Sequence, residues 1–219
     1  MKEHFVNELR NLLNTIVAQG GQVETAIRRA IDAVTARDAA LARQVIADDA
    51  VIDAEEIRIE EECLKILALY QPVASDLRTV VAILKINAAL ERIADFGAHI
   101  AERAVELAEL GSDTPADGVD FSQMEQNALR MLRDSMKVMR HADTVLAYSV
   151  IERDDAVDQA HRDNSLLIGR LLSRQPLHVA YCLACMGISR DLERIADIAT
   201  DICEHIIYLE TGKIIRHRH

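Results

Sequence analysis

Glu91-Arg92-Ile93-Ala94-Asp95 and Glu193-Arg194-Ile195-Ala196-Asp197 are one pentapeptide written twice, about half a chain apart. Glu102 and Glu204 follow the two copies at the same offset, and Gln71-Pro72 and Gln175-Pro176 precede them. Self-similarity on this scale means two copies of one structural unit. The repeated phrase is acidic and lies in a helical pattern. What was duplicated therefore looks like a carboxylate site as well as a core.

Outward from this phrase, apolar residues recur every three or four positions, the period of an amphipathic helix. Phe5, Leu9, Leu12, Ile16, Val23, Ile27, Ile31 and Val34 mark a first long helix. Gly20-Gly21 sits inside it, so either the helix kinks there or something packs against bare backbone. Leu41, Val45, Ile52, Ile59, Cys63, Ile66 and Tyr70 mark a second. Gln71-Pro72 breaks the pattern, because proline lacks a donor and restricts the residue before it. A third helix is expected to begin there and run to about Leu110. The stretch 111–118, with two glycines and a proline, reads as a linker. A fourth helix is expected from Phe121 through Met124, Ala128, Leu132, Met139 and Ala142 to Leu146, a fifth over Val150 to Leu172, and a sixth from Leu177 to about Leu209. No stretch alternates with period two. The expectation is an all-α chain of two tandem three-helix bundles related by internal duplication, with six long helices. The first unit spans 1–110 and the second 119–219.

Composition agrees. Half of the 219 residues are hydrophobic, aromatics are 3% and tryptophan is absent. Eight glycines and three prolines are few for a sheet protein rich in turns. The formal net charge is −11. A nucleic-acid binder needs a basic face, and the only basic cluster is the short tail from Lys213 to His219, to which no role is assigned. No apolar run approaches the length of a membrane span, and the N-terminus lacks a secretory layout. Four cysteines do not make a disulfide scaffold in a chain this size. These features lead to the expectation of a soluble, reduced, cytoplasmic protein with no nucleic-acid partner and no membrane insertion.

Each unit carries a second acidic pair. Asp49 and Asp53 are four apart on the second helix, and Asp154 and Asp158 are four apart on the fifth. Spacing of four stacks side chains one turn apart. Glu91, Asp95 and Glu102 continue the stripe of Leu77, Leu84 and Ala88, and Glu193, Asp197 and Glu204 continue that of Met186. The expectation is that the acids stand at or near the bundle seam. Crowded carboxylates there repel and lose hydration, which raises their pKa values, and a bound cation reverses that penalty. An oxygen-only set suits Mg²⁺, Ca²⁺, Mn²⁺ or ferric iron, and facing helices of bundles hold multinuclear sites in this way. The plainer reading is that acids four apart on helices are solvated, here beside Arg92 and Arg194. Four pairs in duplicated positions, with acids on the apolar seam, bring the metal reading level with it. The copies differ in detail, with Glu56 against His161 and His99 against Asp201.

Gln71-Pro72-Val73-Ala74-Ser75-Asp76-Leu77-Arg78 followed by Glu91-Arg92-Ile93-Ala94-Asp95, echoed by Asp191-Leu192-Glu193-Arg194-Ile195-Ala196-Asp197, resembles the PhoU family. The likeness covers nearly the whole chain. It implies a cytoplasmic negative regulator of the phosphate-starvation response. Such a regulator is an adaptor coupling the ATPase subunit of a phosphate ABC transporter to a sensor histidine kinase, and it forms a homodimer. It also implies a multinuclear metal, iron or else manganese, magnesium, zinc or calcium. By position the ligands would be Asp49, Asp53, Glu91 and Asp95 in one unit, and Asp154, Asp158, Glu193 and Asp197 in the other. The first copy departs from the family phrase, with Ala89 where the second has Asp191. The second lacks a match to Ser75-Asp76-Leu77-Arg78, having Val179-Ala180-Tyr181-Cys182 nearby.

Other candidates are weaker. Cys182 and Cys185 form a single pair in mid-helix and cannot supply the four ligands of a zinc site, so they read as core, as do Cys63 and Cys203. Met124, Met131, Met136 and Met139 read as core filler. Di-iron enzyme bundles use two Glu-x-x-His motifs, and here only Asp158-x-x-His161 comes near. There is no Gly-rich phosphate loop and no nucleophile motif, so an enzyme is not expected. The alternatives are a paralogue regulating another transporter, or a carboxylate-bridged metal-binding bundle with redox or storage activity.

Overall fold

Long apolar stripes with few breakers fold as long helices. The computed structural model describes residues 2–111, 115 and 118–212. It has six α-helices: α1 (Lys2–Ala36), α2 (Ala39–Tyr70), α3 (Ala74–Glu109), α4 (Ser122–His141), α5 (Thr144–Arg174) and α6 (Val179–Thr211). A single 3-10 turn, Pro176–His178, precedes α6, and no strand occurs among the described residues. The expected linker 111–118 joins α3 to α4, with 112–114, 116 and 117 outside the described residues, as is the basic tail from 213 onward.

The turns explain two differences from the sequence reading. α4 ends at His141 rather than running to Leu146, and α5 starts at Thr144 rather than Val150. Ala142 takes the left-handed conformation (φ 53°), and Asp143 then caps α5 by accepting the Leu146 N–H. The first unit uses the same device. Arg37 is left-handed (φ 52°), and Asp38 accepts from the Ala40 and Leu41 N–H groups. A carboxylate cap of this kind contributes about 1 kcal/mol. The apolar period runs across a turn this short, so periodicity alone missed it. α3 likewise begins at Ala74, with Pro72 left in the turn after Gln71, whose N–H still bonds the Leu67 carbonyl at 3.2 Å.

Each unit packs its three helices on one another, and the two units join along α3 with α6 and α1 with α4. Both junctions are antiparallel. Arg103 near the end of α3 meets the first half of α6, while Leu13 and Met139 line a common cleft and Gly20 meets Met136. α2 and α5 touch only their own unit and lie outermost. The core is continuous across both units, from Ile16, Ile59 and Leu90 to Met131, Leu192 and Ile207.

Two close approaches fix the junction. α1 runs unbroken through Gly20-Gly21. A Cβ at Gly20 would come within 2.7 Å of Met136 Cγ and Sδ, so bare backbone here admits the α4 side chain. Met124, Met131 and Met136 are buried and Met139 half-buried, as core filler should be. Beside them, Arg133 of α4 pairs with Glu24 of α1, which Arg28 also meets at 2.8 Å. At the other junction Arg103 lies over the backbone of Gly187 and donates to Asp191 Oδ2 at 2.8 Å. Asp191 is 3% exposed. The acid present in the second copy and absent from the first therefore serves as a bridge between units.

Candidate functional site

The carboxylate sites grow from the pairing of α2 with α3 and of α5 with α6. Both pairs are antiparallel, which sets residues four apart on one helix against residues four apart on the other. The register is pinned beside the acids. In the first unit Asn87 of α3 donates to the Glu56 carbonyl at 2.8 Å and to its Oε1 at 3.3 Å. In the second, His161 Nδ1 meets Ser189 Oγ at 2.9 Å, with Asn164 donating to the same hydroxyl at 3.3 Å. The two residues noted as different between copies, Glu56 and His161, thus do equivalent work with different chemistry.

The structure brings the expected acids together in each unit. In the first, burial raises the pKa of Asp49, and Asp53 and Asp95 raise it further, with His99 acting in the opposite sense. Burial also raises Glu91, helped by Asp95, Asp53, Glu56 and Asp49. In the second unit the effect is larger. Burial, then Asp197, Asp158, Glu193 and Asp155, push Asp154 up to about 7. Burial and Glu193 push Asp197 up to about 6 against the pull of Arg194.

Depth separates what was expected from what is found. Asp49, Glu91, Asp95, Asp154, Asp158, Glu193 and Asp197 are half-buried and Asp53 is exposed. Leu77 and Ala88, read as part of the seam, are exposed, and Glu102 is exposed too. The buried face of α3 is instead the row of Val80, Ile83, Ile86, Leu90, Ile93 and Ile100. The acids flank that row and line the edge of a groove. Glu204, the counterpart of Glu102, is 7% exposed, so the copies diverge at this turn. Arg194 lies 3.8 Å from Glu193, and Arg162, which the sequence reading did not single out, reaches Asp158 at 3.3 Å. Its i, i+4 spacing to Asp158 was the available signal.

Among the described residues, no three His, Cys, Asp or Glu side chains are gathered as a ready metal-binding set. The candidate ligands form two acidic grooves rather than two preformed cages. One observation fits a cation in the second groove: Asp154 Oδ1 is buried and has no hydrogen-bond partner. A buried carboxylate oxygen left so costs free energy, and a hard cation is the partner an oxygen-only set best accepts.

The other motifs resolve into packing. All four cysteines are free and buried, and burial raises their thiol pKa values, to about 12 at Cys63 and Cys203 and about 11 at Cys185. Such thiols are poor nucleophiles at neutral pH. Tyr181, in the stretch without a first-copy match, is 4% exposed. Its hydroxyl oxygen accepts the Val119 N–H at 2.9 Å, and Arg37 lies 5.6 Å from its ring centroid.

A duplicated pair of three-helix bundles, each with an acidic groove between its second and third helices, defines a class of tandem three-helix-bundle proteins. The model of the PhoU domain matches residues 16–104 and again 121–206, and the chain belongs to the PhoU family. It is 35% identical over 217 residues to a Pseudomonas putida protein named phosphate-specific transport system accessory protein PhoU homolog, covering 99% of this chain and 84% of that one. An Aquifex aeolicus protein of the same name is 35% identical, over 97% of this chain and 95% of its own. Among solved structures, PhoU from Pseudomonas aeruginosa superposes with a TM-score of 0.90 at 34% identity, over 95% of this chain and 100% of that one. The phosphate transport system regulatory protein PhoU from Streptococcus pneumoniae gives 0.89 at 30% identity, over 96% and 99%. Among the described residues no helix is long and apolar enough to cross a membrane.

Proposed function

We propose that this chain is an accessory of a phosphate-specific transport system, and that it acts as a regulator and not as an enzyme. The observation that carries the reading is the match of both halves to relatives named for that role, over almost the full length of each chain. In this reading the chain binds the transporter's ATPase subunit in the cytoplasm and a sensor histidine kinase, and restrains the starvation response while phosphate is plentiful. The long helical surface suits such a role, because a switch between two partner states needs only a few kcal/mol of differential binding. Arg78 and Arg92, both exposed, are available to partners on the α3 side.

The metal is part of the same proposal. Asp49, Asp53, Glu91 and Asp95 would hold it in the first groove, and Asp154, Asp158, Glu193 and Asp197 in the second. Bound there, a metal would supply positive charge that relieves carboxylate repulsion and ties α2 to α3 and α5 to α6. With a cation there, the orphaned Asp154 oxygen would gain a partner.

The test is recovery of the tagged chain from its own cells, grown with and without phosphate, with co-purifying proteins identified by mass spectrometry. A transporter ATPase or sensor kinase that varies with phosphate is the expected result. Recovery of neither from well-expressing cells would sink the adaptor reading. Metal content is read separately. Asp154→Asn/Asp197→Asn protein should hold less metal than the parent, and equal content would refute the ligand assignment.

A further inference from the structure

The far end of the second unit, where α5 turns into α6, combines exposed apolar side chains with one sign of charge. Leu177 stands 88% exposed in the 3-10 turn. Beside it Leu183 is 67% exposed, Val179 45% and Leu172 37%, while Leu166 at 61% and Leu167 at 37% lie about two turns back along α5. Single exposed leucines are ordinary, but a group at one tip calls for a partner. From 164 to 190 the sequence holds no Asp or Glu, while Arg170, Arg174 and Arg190 all fall in it. Arg170 and Arg174 are exposed and make no ion pair among the described residues. This is an acid-free segment in a chain of net charge −11.

The first unit supplies the contrast. Its corresponding tip is also apolar outside, with Leu69 65% and Val73 74% exposed. Yet the matching stretch 59–88 contains Glu60, Glu61, Glu62 and Asp76 among its basic residues. The apolar character is common to both tips and the charge is not.

We propose that the α5–α6 tip is a contact surface for an anionic phospholipid bilayer, with Leu177 and its apolar neighbours entering the interface and Arg170 and Arg174 meeting the headgroup phosphates. Charge and exposure favour lipid: Leu177 stands in the turn that ends a helical hairpin, and exposed apolar side chains beside unpaired arginines are what an anionic headgroup layer accepts. Along α5 the nearest acid, Asp163, lies about 16 Å from Arg174 and about 10 Å from Arg170 at 1.5 Å per residue. Both exceed the screening length of about 8 Å at physiological salt, and on the α6 side the nearest acid seen is Asp120, in a cleft with Tyr181 and Cys185 below the tip. Such a contact lies on the membrane and does not span it.

The full-length chain should co-sediment with phosphatidylglycerol vesicles and not with phosphatidylcholine vesicles, and added salt should release it. Arg170→Glu/Arg174→Glu should weaken binding at least tenfold, because each basic residue at the surface adds appreciably to the attraction. Leu177→Glu should weaken it as well, while Val73→Glu at the other tip should leave it unchanged. All these positions are exposed, and circular dichroism would verify that each variant keeps its helix content. Failure to bind phosphatidylglycerol vesicles overturns the proposal and leaves the tip as a surface for an acidic protein. Equal binding to both lipids, or equal loss on Val73→Glu, overturns it too.

Discussion

In the second unit Asp154 and Asp197 are pushed up to about 7 and about 6, and Asp154 keeps a buried oxygen without a partner. In the first unit Asp53 stands exposed, and His99 acts on Asp49 against its carboxylate neighbours. The pentapeptide is the same in both. Its surroundings differ: Asp201 replaces His99, His161 replaces Glu56, and Asp191 replaces Ala89. Duplication preserved the ligand types while the flanking residues set depth and charge. Identical motifs are therefore not expected to bind a cation or a proton equally.

The largest effect comes from the residue that most separates the copies. Arg103→Ala would leave buried Asp191 without its hydrogen-bonded partner, with only the Arg190 guanidinium 4.0 Å away. Loss of one member of a buried pair costs about 3–5 kcal/mol. Arg103 keeps 20% of its side chain exposed, which places the cost near the lower end, about 3 kcal/mol. Adding Asp191→Ala, which gives the second copy the residue of the first, should restore much of that loss in urea denaturation. If the double variant is no more stable than Arg103→Ala alone, the bridge does not account for the difference between copies.

The grooves themselves can be compared by pH. A carboxyl whose pKa is raised in the folded state holds its proton where the unfolded chain has lost it, so stability falls as pH rises through that window. For Asp154 the window runs from the ordinary carboxylate range to about 7, and for Asp197 to about 6. The metal-free protein should therefore melt at a lower temperature at pH 8 than at pH 5. Glu24, held low by its hydrogen bond to Arg133, acts in the opposite sense and only under more acidic conditions. Asp154→Asn should raise Tm at pH 8 and leave it nearly unchanged at pH 5, and Asp49→Asn should do the same more weakly. Equal gains from the two variants would erase the proposed asymmetry. Titrating Mn²⁺ into the same samples at pH 8 should raise the parent's Tm, with Asp154→Asn losing more of that rise than Asp49→Asn.

What could be read from the sequence follows from how far each signal reaches. Helix number and class were legible because apolar residues at three- and four-residue spacing are repeated over long segments. The α4–α5 turn was not, because Ala142-Asp143 interrupts the chain without interrupting that period. The candidate ligands could be named from spacing and duplication, but their depth could not. Leu77 and Ala88 lie on the helical line of Glu91, and only packing against α1, α2 and α6 decides that the buried row runs through Ile83 and Leu90. The Arg103–Asp191 bridge lay beyond any local pattern, since its partners sit on different units. Asp191 was visible only as a departure from Ala89.

The smallest effect tests the junction at a single pair of residues. Gly20-Gly21 left open a kink or a close approach, and the structure assigns the approach to Gly20 alone. A Cβ at Gly20 would come within 2.7 Å of Met136, while one at Gly21 meets nothing within 4 Å. Alanine in a helix is favoured over glycine by about 1 kcal/mol. Gly21→Ala should therefore stabilise the protein by about 0.5–1 kcal/mol. At Gly20 the same gain is set against overpacking, which typically costs about 1–3 kcal/mol. Methionine's flexibility softens that cost, so Gly20→Ala should be destabilising by about 1 kcal/mol or less. Opposite signs at adjacent positions, read by chemical denaturation, would show that one glycine serves contact between the units and its neighbour does not. Two stabilising substitutions would mean that Met136 yields freely and that α1 and α4 are not held by this contact.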